Sequence, residues 1–194
     1  MRRWTIRTAL VCILAVGLSG RAMAVTYEGV TIPDTYTVDG RELVLNGLGL
    51  RTLTIFHVHV YVAALYTAHP SHDAAQILAS QDPKVLVLHF IHSGSKDQIE
   101  KEYREGEANN CGAGECSPSD RADFERLIAA APAVGPGDTS TFVFHGDRVR
   151  VYANADKIAD FKDGDLGYHL LGGFIGKHPP SEALRNSLLG LPAE

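Results

Sequence analysis

Residues 43–66 read LVLNGLGLRTLTIFHVHVYVAALY, and this stretch decides the fold. β-Branched and aromatic side chains dominate it, which is typical of strands in a half-buried sheet. Gly47 and Gly49 are its only glycines, and Arg51 is its only permanent cation. A guanidinium among apolar residues must meet water, an acidic partner or an anionic ligand, because burying it alone costs too much free energy. Arg51 is therefore the first candidate for a functional residue.

Outward from this stretch, the patterns predict short strands and helices. Residues 25–39 alternate loosely and contain Pro33, which predicts one or two short edge strands, and Asp39-Gly40 is typical of a tight turn. The predicted helices cover residues 71–80, 95–110, 117–131, 165–175 and 180–189, and the remaining predicted strands cover 85–91, 139–144, 149–153 and 157–161. Because the strands come in runs, we predict an α+β domain with a large antiparallel β-sheet packed on one face by a layer of helices.

The first 24 residues have the pattern of a signal peptide. A basic segment precedes an apolar run at 9–18 that is too short to span a bilayer, and Ala22-Met23-Ala24 fits a cleavage site. We expect one domain at 25–194, exported across the inner membrane and periplasmic if the source is Gram-negative. No cysteine lies at the cleavage point, so we expect no lipid anchor.

Charge and cysteine content narrow the range of partners. Removing residues 1–24 takes away four arginines and no acid, so the formal charge changes from −5 to −9. An acidic chain argues against nucleic acid and anionic membranes as partners. Cys111 and Cys116 remain, and in an oxidising compartment their Gly-rich spacing favours a local disulfide. A redox or metal pair is the less favoured alternative, since no second ligand pair is evident. We predict no cofactor.

The order of several short motifs resembles the chalcone isomerase-like family, especially its exported bacterial branch. The motifs are LNGxGxR at 45–51, VYVAALY at 60–66, PKxLVLHF at 83–90, EGxxxN at 105–110, GD at 137–138, GxxP at 176–179 and LLG at 188–190. The resemblance covers nearly all of residues 25–191. It implies an antiparallel sheet backed by helices, with an apolar cleft between the two layers.

The resemblance also implies candidate ligand-binding residues. The family contains isomerases that close a flavonoid ring and non-catalytic members that bind fatty acids. In both, an arginine at the place of Arg51 faces the ligand, and in the fatty-acid binders a tyrosine near Tyr61 helps it to hold a carboxylate. Tyr103 and Asn110 resemble the cleft tyrosine and asparagine of the isomerases. The isomerases carry threonines where Tyr61 and Gly173 fall here, which argues against flavonoid isomerisation.

Each of these residues also has a structural interpretation. Arg51 suits an ion pair with an acid, Tyr61 and Tyr103 suit apolar packing, and Asn110 suits a helix cap. Ten residues of straight strand span roughly 33 Å, so Arg51 and Tyr61 can share a ligand only if the chain reverses between them. No glycine or proline in residues 52–59 predicts such a turn, and only the family fold supplies it.

The two histidines before Tyr61 raise a separate question. His57 and His59 alternate with Tyr61 along the predicted strand, so all three would lie on one face. Two histidines in this arrangement can form half of a zinc or copper site. We favour the interpretation that they are solvent-facing residues of a half-buried strand, and we predict no metal site.

Three hypotheses of function follow. The first is an exported, non-catalytic protein that binds a fatty acid or similar amphipathic carboxylate through Arg51, Tyr61, Tyr103 and Asn110. The second is an intramolecular lyase of chalcone isomerase type, acting on a flavonoid-like substrate with the same four groups. The third is a structural or interaction module of the cell envelope, with an unknown protein partner.

Overall fold

The computed structural model describes residues 23–53, 56–162 and 165–193, so the predicted signal peptide lies almost wholly outside the described part. The strands in this part are β1 (Ala24–Tyr27), β2 (Val30–Pro33), β3 (Thr35–Val38), β4 (Arg41–Leu53), β5 (Val58–Thr67), β6 (Lys84–Phe90), β7 (Thr139–His145), β8 (Arg148–Ala153) and β9 (Asp156–Lys162). The helices are α1 (Ala74–Ala79), α2 (Lys96–Asn110), α3 (Pro118–Ala130), α4 (Leu166–Ile175) and α5 (Glu182–Leu188). All five predicted helices are present.

Strands β3 to β9 form one seven-stranded sheet in which sequence neighbours are also spatial neighbours. Every pair in the sheet is antiparallel. The predicted α+β class with a large antiparallel sheet is therefore confirmed. Asp39 and Gly40 join β3 to β4 with φ values of 50° and 73°, as a two-residue hairpin turn requires.

The stretch that decides the fold is a β-hairpin. Strand β4 ends at Leu53 and β5 begins at Val58, so the expectation from pattern alone that no turn interrupts this region is wrong. The turn includes His57, whose φ of 50° lies in the left-handed region. Histidine enters that region more often than most residues, and its presence here carries no glycine-like signal. The bend implied by the family resemblance is therefore present.

The N-terminal segment holds three strands rather than the predicted one or two. Glu28 and Gly29, with φ values of 50° and 77°, turn the chain between β1 and β2, which form a hairpin of their own. Only β3 pairs with the main sheet. A Glu-Gly pair is a weaker turn signal than Asn-Gly or Asp-Gly, which explains why the pattern did not separate these strands.

The helix layer covers one face of the sheet, as predicted. The buried side chains on this face include Tyr61, Ala63 and Leu65 from β5, Leu86, Leu88 and Phe90 from β6, and Phe142 and Phe144 from β7. They pack against residues from all five helices, including Phe124, Leu171 and Leu184. This helix-facing core contains the candidate site.

The opposite face of the sheet carries a second core. Val62, Ala64 and Tyr66 of β5 are at most 1% exposed there, although among the described residues no helix contributes to this cluster. Ile32 of β2 and Tyr36 of β3 belong to it, so the N-terminal strands provide its cover. The sheet thus has a hydrophobic core on each side. None of the helices in the described part is long and apolar enough to cross a membrane.

Candidate ligand-binding site

Two glycines set how closely α5 approaches β4. A Cβ atom at Gly47 would overlap the carbonyl oxygen of Ser187 and lie 2.6 Å from that of Leu188. At Gly49, a Cβ atom would lie 2.7 Å from Cβ of Ser187. Only glycine permits this approach of backbone to backbone. The glycine pair therefore fixes α5, and with it the segment just before α5, over the strand that carries Arg51.

Asn46 strengthens the same contact. Its Nδ2 donates to the carbonyl oxygens of Leu188 at 2.8 Å and Ser71 at 3.1 Å, and its Oδ1 accepts from the backbone N–H of Ser71 at 2.7 Å. The register of β4 on β5 shifts between Leu45 and Gly47, immediately around this residue. The Asn-Gly-x-Gly part of the motif is thus structural, because it joins β4, α5 and the segment leading to α1.

Arg51 lies directly opposite Tyr61 in the β4–β5 ladder. Its Nη1 donates to the carbonyl oxygen of Pro180 at 2.9 Å, and its Nη2 lies 3.5 Å from Oε2 of Glu102 on α2. The Arg51 side chain is 13% exposed, whereas that of Glu102 is 51% exposed. The guanidinium therefore lies at the edge of the helix-facing core, with a close backbone partner in Pro180, a distant one in Thr52 and one loosely held acid.

Tyr61 is a buried phenol beside this cation. It is 9% exposed and packs edge-on against Phe90, with ring centroids 5.7 Å apart. Burial raises the pKa of Tyr61 far above its ordinary value of 10, while the nearby Arg51 charge lowers it by less. No hydrogen bond links its hydroxyl to another of the described residues. At neutral pH Tyr61 is thus an uncharged phenol.

Helix α2 places Tyr103 above this pair. The Tyr103 ring packs edge-on against Phe142 at 6.4 Å, and burial raises the pKa of its hydroxyl, which lies near Ser140. Tyr103 is close enough to Tyr61 to raise the pKa of that phenol as well. Phe142 also contacts Phe144 and Phe174, and we refer to Tyr103 and these three phenylalanines as the aromatic cluster.

Asn110 lies at the other end of α2. Its Nδ2 donates to the carbonyl oxygen of Gly106 at 2.9 Å and approaches that of His178 at 3.5 Å. A Cβ atom at Gly173 would lie 3.4 Å from the same nitrogen. Seven helical residues correspond to about 10 Å, so Asn110 is well separated from Tyr103 along the helix. The structure brings Arg51, Tyr61 and Tyr103 together, whereas Asn110 contacts α4 and the segment before α5.

Two participants in this arrangement were not predicted from the sequence. Glu102 is one of several acids on a charged helix, and nothing in the pattern distinguishes it from Glu100 or Glu105. Its position immediately before Tyr103 was the only signal that could have identified it. The carbonyl oxygen of Pro180 carries no sequence signal, because any residue supplies one.

The predicted cysteine and histidine features fall elsewhere. A disulfide joins Cys111 to Cys116 and so links the end of α2 to the start of α3. One ring nitrogen of His169 lies within 4.8 Å of both sulfurs, but the two sulfurs are already bonded to each other in the disulfide. His59 pairs with Glu28 at 3.0 Å, and His57 lies in the turn rather than on the strand. The prediction that His57 and His59 share one strand face is therefore wrong.

Ile99 and Tyr103 of α2 are partly buried and pack against the helix-facing core. Two surface depressions lie elsewhere, one along the outer face of α2 near Lys101 and one between the β1–β2 turn and His89 at the end of β6. Neither is lined by Arg51 or Tyr61. These two depressions are therefore not the apolar cleft that the resemblance implies.

Comparisons with known proteins agree with this architecture. The sequence profile described as "Chalcone isomerase-like" matches residues 24–190. A crystal structure of a fatty-acid binding protein from Arabidopsis thaliana superimposes with a TM-score of 0.65 at 15% sequence identity, covering 86% of this chain and 96% of that one. No curated protein sequence matches the chain. At this identity the superposition shows the fold, and the profile match over most of the chain shows that the protein belongs to the chalcone isomerase-like family.

Proposed function

We propose that this protein binds a fatty acid or similar amphipathic carboxylate, without catalysis, between α2 and the β4–β5 hairpin. The observation that carries the proposal is the direct pairing of Arg51 with Tyr61 beneath Tyr103. Membership of a family with the fold of a fatty-acid binding protein supports it. The differences from the isomerases at Tyr61 and Gly173 favour binding over ring closure.

The head group would be held by one charge and one neutral donor. A guanidinium remains protonated at any physiological pH and offers two parallel N–H groups, which match the two oxygens of a carboxylate. Nη1 of Arg51 already donates to Pro180, while the partner of Nη2 among the described residues is Glu102 at 3.5 Å. Tyr61 would add a hydrogen bond from a phenol that burial keeps protonated. The pair selects an anion over a neutral ligand.

The tail would lie among the apolar side chains behind this pair. Phe90 lies against Tyr61, and the aromatic cluster continues the apolar surface beneath α2. Each methylene removed from water contributes about 0.8 kcal/mol, so a tail of about a dozen carbons would supply most of the affinity. The polar contacts would then set orientation and charge preference more than total binding free energy.

Entry requires a movable element, and α2 is the helix over Tyr61 that buries little of its own surface. None of its residues is fully buried, whereas five residues of α4 are. Its apolar contacts with the helix-facing core are made by the partly buried Ile99 and Tyr103. We therefore propose that α2 moves away from the hairpin to admit the tail.

Titration of the mature chain with dodecanoic acid in a calorimeter tests the proposal. We expect the wild-type protein to bind the acid. For Arg51→Ala we expect a dissociation constant at least tenfold larger, because hydrogen bonds to charged groups contribute about 1.5–3 kcal/mol. Arg41→Ala provides the matched control, since Arg41 is an exposed arginine at the start of the same strand. Thermal unfolding of each variant reports whether loss of the Pro180 contact has disturbed the fold.

Two outcomes would contradict the proposal. Absence of heat and of any ligand-induced rise in melting temperature for the wild type would exclude carboxylate binding under these conditions. Equal affinities of wild type and a folded Arg51→Ala variant would remove the role given to the arginine. We further propose that binding takes place outside the cytoplasm, in a chain processed after Ala24, as the N-terminal sequence predicts.

A further inference from the structure

We infer that Glu102 is an internal competitor for the ligand carboxylate, and that it sets how strongly the site selects and holds an anionic head group. The inference rests on the proposed function, since it concerns the same arginine. Its basis is the contact between Oε2 of Glu102 and Nη2 of Arg51 at 3.5 Å.

The geometry of Arg51 leaves one side of the guanidinium for an anion. Nη1 is engaged by the carbonyl oxygens of Pro180 at 2.9 Å and, at the limit of hydrogen-bond length, Thr52 at 3.5 Å. Nη2 faces α2, and among the described residues Glu102 is the one acid within 4 Å of it. A ligand carboxylate that approaches Nη2 therefore competes with the carboxylate of Glu102 for the same donor.

The Glu102 contact is weak enough to be exchanged. Its distance of 3.5 Å is long for a charge-assisted hydrogen bond, which usually measures 2.7–2.9 Å. The Glu102 side chain is 51% exposed, and exposed ion pairs contribute little because water and salt screen them. Glu102 can thus turn towards solvent when a ligand arrives, without leaving a buried charge.

Glu102 also links the head-group position to the movement of α2. Its neighbour Tyr103 packs against Phe142 in the core. The same turn of α2 is therefore attached to the sheet by Tyr103 on its apolar side and by the Glu102–Arg51 contact on its polar side. Exchange of the Glu102 carboxylate for that of a ligand removes the ion pair that joins α2 to β4. Head-group capture and release of α2 are then one event.

Glu102→Gln tests this inference, with dodecanoic acid and its methyl ester as probes. Glutamine keeps the size of the side chain and removes the charge, so we expect about two- to five-fold tighter binding of the acid, the range that an exposed ion pair supports. Binding of the uncharged ester should gain less than binding of the acid, because the ester shares any easier opening of α2 but does not compete for Nη2 as an anion. A purely structural role for Glu102 would change the binding of both ligands by the same factor.

Glu105→Gln is the matched control. Glu105 lies one turn further along α2, is 57% exposed and pairs with Lys101, so its replacement removes the same charge from the same helix. An equal gain in Glu105→Gln would assign the effect to net charge and overturn the inference. Unchanged binding of the acid by Glu102→Gln, with a wild type that binds, would overturn the inference alone. Failure of both wild type and Glu102→Gln to bind the acid would overturn the proposed function with it.

Discussion

Arg51 has two kinds of neighbour. One kind indicates a structural role for this residue, and the other fits anion binding. Its bond to the carbonyl oxygen of Pro180 fixes the segment before α5, which is a structural task. Its pairing with Tyr61 and its loose contact with Glu102 fit the recognition of an anion. Nη1 serves the first task and Nη2 the second, so one guanidinium accommodates both.

At the residue scale, the sequence singled out positions with unusual chemistry and gave no signal for those with common chemistry. A single cation in an apolar stretch pointed to Arg51, and the resemblance pointed to Tyr61 and Tyr103, which the structure places beside it. Glu102 could not be selected, because an acid on a charged helix looks like its neighbours until the fold sets one against an arginine. The same holds for Asn46, whose amide bonds join segments far apart in the chain.

Gly47→Ala should lower the free energy of unfolding by about 2–3 kcal/mol. The added methyl group would overlap the Ser187 carbonyl oxygen, and neither α5 nor β4 can move without losing the Asn46 bonds. Urea unfolding followed by circular dichroism measures the change.

Gly106→Ala is the matched control for that substitution. Gly106 lies inside α2, and no atom lies within 4 Å of a Cβ built there. Alanine should therefore raise stability by up to about 1 kcal/mol through helix propensity. Comparable stability changes of the same sign in both variants would show that the close approach of α5 is not what Gly47 provides.

At the scale of elements, the β4–β5 hairpin is the feature that turns a sequence pattern into a site. It reverses the chain after Leu53, and the reversal sets Arg51 opposite Tyr61. The individual strands and helices were predictable because their apolar periodicity and their capping residues are local. The turn was not, because its φ > 0 position is occupied by His57 and is selected by the pairing of the two strands rather than by its own residues.

Helix α2 is the opposite case, because local sequence signals mark where it begins and ends. Ser95 and Gln98 form a reciprocal capping box at the beginning, and the disulfide follows directly after the end. The disulfide closes a short loop to α3 and so restricts the end of a helix that has few buried side chains.

Replacement of both Cys111 and Cys116 by alanine should lower the free energy of unfolding by about 2 kcal/mol. The value follows from the loss of a cross-link that closes a loop of about six residues in the unfolded chain. Chemical reduction of the wild type should give a similar loss in urea unfolding. If reduced and oxidised wild-type proteins unfold at the same urea concentration, the bond does not hold the end of α2 as described.

On the scale of the whole molecule, curling of the sheet brings its distant parts together. Asp39 in the β3–β4 turn accepts hydrogen bonds from both Nη atoms of Arg150 on β8, at 3.0 and 2.5 Å. His145 at the end of β7 lies 3.4 Å from the same carboxylate. This connection crosses the second core, and it could not be predicted because it depends on the curvature of seven strands rather than on any local pattern.

The Asp39 contacts predict a loss of stability in acid. Hydrogen bonding from Arg150 is the main cause that lowers the pKa of Asp39 below its ordinary value of 3.8. A carboxyl group whose pKa is lowered in the folded state stabilises the fold fully at a pH above its ordinary pKa. This contribution decreases as the pH falls below the ordinary pKa and is lost once the pH passes the lowered one. The free energy of unfolding should therefore decrease below about pH 4, and Asp39→Asn should flatten this part of the profile.

Glu42→Gln serves as the control for the acid profile. Glu42 is an exposed acid of β4 without an ion pair to any other described residue. Its removal should leave the acid dependence as in the wild type. A profile of Asp39→Asn that also matches the wild type would show that the bridge across the second core contributes nothing to stability in acid.

The two cores have a consequence for where chemistry can take place in this fold. Residues Val62 to Leu65 in the middle of β5 are fully inaccessible, alternately towards one interior and the other. Because both faces of this part of the strand are buried, a ligand could contact the strand only near its ends. Tyr61 lies at that margin, next to the last ladder pairs before the β4–β5 turn, which is where the proposed ligand would bind.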